Sequence, residues 1–408
     1  MTFKPSYKSK RQLPDLPFLW SLLELRRPRF RKPSSQVLTV HEFAQLAMRR
    51  VPKAVYDYVE GSASDEISYG WTRDALNRVE FNPQTLVDVS HIDTTVEILG
   101  KKIDLPIMFA PTGYTRFMHH TGEPAVAEVA AANNLVYGLS TMGTTSPAEL
   151  GVAVPQARKW FQIYLMRERA ATLDVIAQAR DGKFEALILT VDTPLAGLRI
   201  RDLRNGLTIP PRINWGTLFQ VIKKPRWWFN MITTKKLEFA AFRGWNRSLV
   251  ELAGVIFDPS INTDDIKWLQ KQWSGPIIVK GLQSVADAKR VAALGVQGIV
   301  VSNHGGRQLD RGTVPIEVLP EIVKAVGKKV DVYLDGGIMS GQDVYAAIAM
   351  GAKAVFIGRA YLYGIMADGG RGVNRVIEIM KRDLVTTMGL AGAQTIDDIH
   401  KLGAKLRP

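Results

Sequence analysis

The chain has 408 residues, 46% of them hydrophobic and 23% charged, a composition that builds a packed core and excludes extensive disorder. Cysteine is absent, which excludes disulfides, thiolate metal sites, iron–sulfur clusters and cysteine nucleophiles. Lys and Arg exceed Asp and Glu by 14, so partners are expected among anions: small carboxylates, phosphates or an anionic membrane surface. No nucleic-acid partner is expected, because no binding motif accompanies the charge.

In chain order, residues 1–35 form a basic arm, with Lys4, Lys8, Lys10, Arg11, Arg26, Arg27, Arg29, Arg31 and Lys32 against Asp15 and Glu24. Its apolar patch, Leu16 to Leu25, is too short to span a bilayer and lacks a following cleavage site. The protein is therefore expected in the cytoplasm, with peripheral contact at the inner face of the cell membrane left open. Thr39 is the expected N-cap of a helix running to Arg50, and a second helix runs from Ala54 towards Glu60. From there short apolar runs recur, each followed by a polar or glycine-rich turn and a helical stretch. Eight can be counted: 107–111, 137–141, 159–165, 186–192, 276–281, 298–303, 332–337 and 354–359. Eight units without a GxGxxG turn predict a TIM (β/α)8 barrel over residues 36–408, with an N-terminal helical extension and an insertion after strand 4, about 193–270.

Polar residues gather at the C-terminal ends of these runs, the side where such barrels build active sites. The last two runs end in LDGG and FIGR, and glycine there lets backbone N–H groups approach a phosphate. That singles out Gly336, Gly337, Gly358 and Arg359. In SNHGGRQLD, His304 and Arg307 stand three apart beyond a strand, so an imidazole could take a proton while a guanidinium holds a carboxylate. Asp192, ending another strand, could orient that imidazole. His41, His91, His119, His120 and His400 are assigned no chemistry, and no metal site is expected.

These segments resemble the FMN-dependent 2-hydroxy-acid oxidases and dehydrogenases, a family that includes glycolate oxidase, lactate oxidase and bacterial membrane L-lactate dehydrogenases. The likeness covers roughly residues 36 to 400 and rests on SNHGGRQLD together with VYDYVEGSASDE, WFQIYL, LTVDTP, VKG, LDGGI and FIGRAYLY. The resemblance implies His304 as base with Asp192, Arg199 and Arg307 as the carboxylate clamp, and Tyr58 and Tyr164 as substrate-binding phenols. It implies Lys280 beside the flavin's pyrimidine edge. Pro111, Thr112, Gly113, Ser140, Gln162, Thr190, Ser302 and Asp335 are implied as further FMN contacts. Family members are often tetramers.

Three departures stand out. Met339 replaces an arginine that binds the FMN phosphate in many relatives, so Arg359 is expected to do more and FMN affinity to be lower. Gly113 replaces an alanine of glycolate oxidase-like members and tilts the expectation away from oxygen as acceptor. Met142 replaces a tryptophan found in some. The insertion, with Trp215, Phe219, Lys223, Lys224, Arg226, Trp227, Trp228, Phe229, Lys235 and Lys236, is similar to the corresponding segment of the membrane lactate dehydrogenases and mixes aromatic with basic side chains. The expected activity is oxidation of L-lactate to pyruvate with electrons passed to a membrane quinone. Open alternatives are an oxygen-using oxidase releasing hydrogen peroxide, a mandelate-type dehydrogenase and a non-catalytic FMN-binding barrel.

Overall fold

The computed structural model describes Pro17 and residues 34–206, 215–243, 245 and 256–408. The basic arm thus lies, apart from these residues, outside the described part. All eight expected strands form: β1 Ile107–Thr112, β2 Val136–Ser140, β3 Arg158–Ile163, β4 Ala186–Thr190, β5 Ile277–Leu282, β6 Gly298–Val301, β7 Asp331–Asp335 and β8 Ala354–Ile357. Each pairs in parallel with its sequence neighbour, and β8 pairs with β1, closing the barrel.

Successive side chains of a strand face opposite sides, and this period sorts the barrel interior into layers. Met108, Val136, Trp160, Ile188, Ile278, Val300, Tyr333 and Phe356 form one inner apolar cluster. Two residues beyond Trp160, Ile188, Ile278, Val300 and Tyr333 come Gln162, Thr190, Lys280, Ser302 and Asp335. The filler below and the polar layer above are therefore one periodicity. The antiparallel hairpin Val96–Ile98 with Lys101–Ile103 packs Ile98 and Ile103 into the same apolar cluster.

The N-terminal extension holds α1 Val40–Arg50, α2 Lys53–Glu60 and α3 Ile67–Asn77. Thr39 caps α1 as expected, its Oγ1 accepting the Glu42 N–H at 3.2 Å. The long connection after β4 carries α4 Ile200–Arg204, α5 Trp215–Ile222 and α6 Pro225–Ile232. Helix Thr263–Gln272 then leads into β5. A short strand at Val79–Phe81 pairs with Ala404–Leu406, fastening the chain's end to the extension.

Candidate active site

A cavity of about 730 Å³ opens at the C-terminal end of the barrel. Of the predicted residues, Tyr58, Pro111, Thr112, Gly113, Ser140, Tyr164, Arg199, Lys280, His304, Arg307, Asp335, Gly336, Gly337, Met339, Gly358 and Arg359 line it. Asp192, Gln162, Thr190 and Ser302 are not among its lining residues; the last three are buried beside it, Gln162 and Thr190 at 2% exposure and Ser302 at zero. A second cavity of about 820 Å³, lined in part by Arg116, His120, Lys235 and Arg243, contains none of the predicted residues. Chemistry rather than size therefore selects the first.

The segment Ser302–Asp310 works as one fastening. His304 has φ 57°, Gly305 63° and Gly306 75°, a left-handed run that favours glycine and that a histidine adopts only when its surroundings hold it there. Ser302 Oγ accepts the His304 N–H at 3.0 Å, accepts from Lys280 Nζ at 3.0 Å and donates to Asp335 Oδ2 at 2.7 Å. Asn303 Oδ1 accepts the Gly306 N–H at 3.2 Å, and Gln308 Nε2 donates to the carbonyls of Asp192 and Leu195 at 3.1 and 3.0 Å. Asp310 Oδ1 accepts the Ser68 N–H at 2.8 Å at the start of α3. Ser302 is thereby the buried hub between Lys280, Asp335 and the loop that carries His304.

His304 Nδ1 lies 3.1 Å from Asp192 Oδ1. With that nitrogen donating to a carboxylate, Nε2 carries the free lone pair and can accept a proton. Burial pushes the Asp192 carboxyl up, but the charge and hydrogen bond of His304 and the charge of Lys280 outweigh it and hold it below its ordinary range. Lys280 is fully enclosed; burial opposes its charge, but Asp335 at 2.9 Å and Asp192 hold its pKa above the ordinary value. A protonated lysine thus stands at the cavity wall.

Arg307 Nη1 donates to the Tyr58 and Gly61 carbonyls at 2.8 and 2.7 Å. Burial, with Arg199 and Arg359 nearby, brings its pKa down to about 10. Like charges crowded at one wall favour an anion between them. Arg199 donates from Nε to Asp202 Oδ2 at 2.7 Å; burial opposes its charge, yet Tyr58 and Asp202 hold the pKa above the ordinary value. Burial raises the Tyr164 phenol strongly, so it remains a hydrogen-bond donor at neutral pH.

The residues also fit a flavin. Gln162 Oε1 accepts from Ser140 Oγ at 3.1 Å and the Thr141 N–H at 3.2 Å, which fixes the amide's orientation. Its Nε2 is buried without a partner, a donor suited to a ring carbonyl. A side-chain atom at Gly358 would meet only Ala110 Cβ, at 3.9 Å, so that turn leaves room for a ligand.

Sequence reasoning missed several wall residues. Asp202 carried a signal, three residues from Arg199 on a short helix. Phe117, Val221, Met231 and Phe257 also line the cavity and carried no sequence signal: Phe117 follows β1 on a short helix, and the other three reach the cavity only because the insertion folds over the barrel.

A family model for FMN-dependent dehydrogenases matches residues 47–404. The chain belongs to the FMN-dependent dehydrogenase family. A Mycobacterium tuberculosis relative, provisionally named an L-lactate dehydrogenase, is 43% identical over 392 residues and 95% of each chain. Glycolate oxidase of Spinacia oleracea is 37% identical, covering 90% of this chain and 95% of its own. Among solved structures, the monotopic membrane protein (S)-mandelate dehydrogenase superposes with a TM-score of 0.87 at 33% identity, over 91% of this chain and all of that one. Membership makes FMN the cofactor and oxidation of a 2-hydroxy acid the reaction. FMN, when bound, supplies the two-electron acceptor for that oxidation.

Proposed function

We propose that the protein is an L-lactate dehydrogenase that yields pyruvate and passes its electrons to a membrane quinone. The observation that carries this reading is one wall holding both the His304–Asp192 pair and the crowded guanidinium groups of Arg199 and Arg307. Arg199 and Arg307 hold the substrate carboxylate, and the Tyr58 and Tyr164 phenols hydrogen-bond the substrate. His304 takes a proton at Nε2 while Asp192 stabilises the imidazolium that results. Lys280 and Gln162 contribute a positive charge and a donor on the cofactor side.

Membrane contact has its own support. Phe219, Ile222, Phe229 and Ile232 on α5 and α6 are 57–69% exposed, among exposed Lys223, Arg226, Lys235 and Lys236, the mixture that suits an anionic lipid interface. No helix among the described residues is long and apolar enough to cross a membrane; the contact proposed is peripheral, through α5 and α6. The working form is a homo-tetramer.

The test is anaerobic mixing of the yellow holoenzyme with L-lactate, then reoxidation by a soluble quinone or by oxygen. Rapid bleaching and faster quinone reoxidation are expected. A flavin left yellow by L-lactate but bleached by L-mandelate would shift the substrate assignment to an aromatic acid. Peroxide release as fast as quinone turnover would remove the dehydrogenase assignment.

A further inference from the structure

The turn Gly336–Met339 joins β7 to helix α7, Gly341–Ala349, and lines the cavity beside Gly358 and Arg359. A phosphate at that turn requires inward N–H groups, and Met339 brings no charge. The Arg359 guanidinium is committed elsewhere. It donates from Nε to Val59 O at 3.0 Å, from Nη1 to Gly305 O at 2.9 Å, and from Nη2 to Gly61 O and Ser62 Oγ at 3.1 and 2.9 Å.

Arg73, on α3 and outside the cavity wall, touches the turn from behind. Its Nη1 donates to the Gly337 carbonyl and to Asp343 Oδ2 at 2.9 Å. The same carboxylate oxygen accepts the Met339 N–H at 2.8 Å. The helix presses close: a side-chain atom at Gly337, where φ is 78°, would lie 2.7 Å from Thr72 Cγ2 and 2.8 Å from Leu76 Cδ1.

In a trans peptide the C=O and the next N–H point in opposite directions. An arginine drawing the Gly337 carbonyl outward therefore turns the Ile338 N–H inward, and a charged donor on that carbonyl polarises the N–H further. Ile338 lines the cavity, and among the described residues its N–H has no backbone or side-chain acceptor in the hydrogen bonds seen.

We infer that Arg73 is a positioning residue for the FMN phosphate: by holding the Gly337 carbonyl it aims the Ile338 N–H at the cofactor. This rests on the placement of the phosphate at the Gly336–Met339 and Gly358–Arg359 turns. The apoprotein is titrated with FMN and with riboflavin, which lacks the phosphate, and binding is read by quenching of flavin fluorescence. Arg73→Ala is expected to weaken FMN about tenfold or more, the size of one lost charge-assisted hydrogen bond, with riboflavin changed less than about twofold. Arg73→Lys, which keeps one charged donor and serves if the alanine variant does not fold, is expected to fall between. Equal loss for both flavins would mark a merely structural ion pair and overturn the inference, as would an unchanged FMN preference. A wild-type protein binding riboflavin as tightly as FMN would instead overturn the phosphate placement itself.

Discussion

At the scale of single residues, the site is a chain of buried charges in which each group is held by the next. In the proposed mechanism, removing His304 takes away the proton acceptor and leaves Arg199 and Arg307 in place. His304→Ala is expected to slow anaerobic flavin bleaching by about 10²–10⁴-fold with flavin binding retained, measured by stopped-flow absorbance. Lys280 and Asp335 form an enclosed pair, so Lys280→Met strands a carboxylate and is expected to cost about 3–5 kcal/mol in urea unfolding. Asp192 adds a pH signature. Its native carboxyl titrates below its unfolded value, so its stabilisation is complete above about pH 3.9 and is lost as pH falls through the native value. Acid unfolding of Asp192→Asn should accordingly show a shallower decline than wild type, by at most about 1.4 kcal/mol per pH unit. Equal slopes in the two proteins would refute the paired, ionised assignment.

At the scale of elements, two pieces of chain outside the eight-unit pattern complete the site. Helix α3 stands behind both loops: Asp310 holds its N-terminus, and Thr72 Oγ1 accepts from Asn303 Nδ2 at 3.1 Å. Helix α6 roofs the cavity. Its Trp227 donates from Nε1 to the Phe117 carbonyl at 3.1 Å and meets the Phe117 ring edge-on at 5.9 Å, while Phe117 meets the Tyr58 ring at 6.0 Å. Such aromatic contacts each contribute about 0.5–1.5 kcal/mol beyond area burial. Trp227→Ala is therefore expected to raise the substrate KM several-fold with little change in the flavin spectrum. An unaltered KM would detach the roof from substrate binding.

At the scale of the whole molecule, the insertion sets exposed apolar and basic side chains on one flank of the barrel mouth, the flank proposed to meet lipid. Charge and exposed aromatics there predict flotation with vesicles containing anionic phosphatidylserine and not with neutral vesicles, reversed by high salt because surface attraction decays over about 8–10 Å at physiological strength. The variant Phe219→Ser/Phe229→Ser should lose flotation while keeping flavin reduction by L-lactate. Flotation unaffected by either salt or these substitutions would sink the membrane reading.

The sequence by itself determined the barrel, because a strand buried on both sides followed by a helix writes a repeating apolar run, and eight such runs close. It also marked out the loop SNHGGRQLD, where a histidine, an arginine and two glycines stand together, and the fold brings His304 and Arg307 to one cavity. What only the tertiary structure decided were relations across the barrel. Ser302 became a hub beneath the wall because β6 and β7 run in register with Val301 opposite Leu334, which sets Ser302 beside Asp335. Arg73 met the Gly337 turn 264 residues away, and Phe117 met Trp227 across 110. No periodicity along the chain records such pairs, since contacts between distant segments are fixed by how whole elements pack and not by the residues that flank each partner.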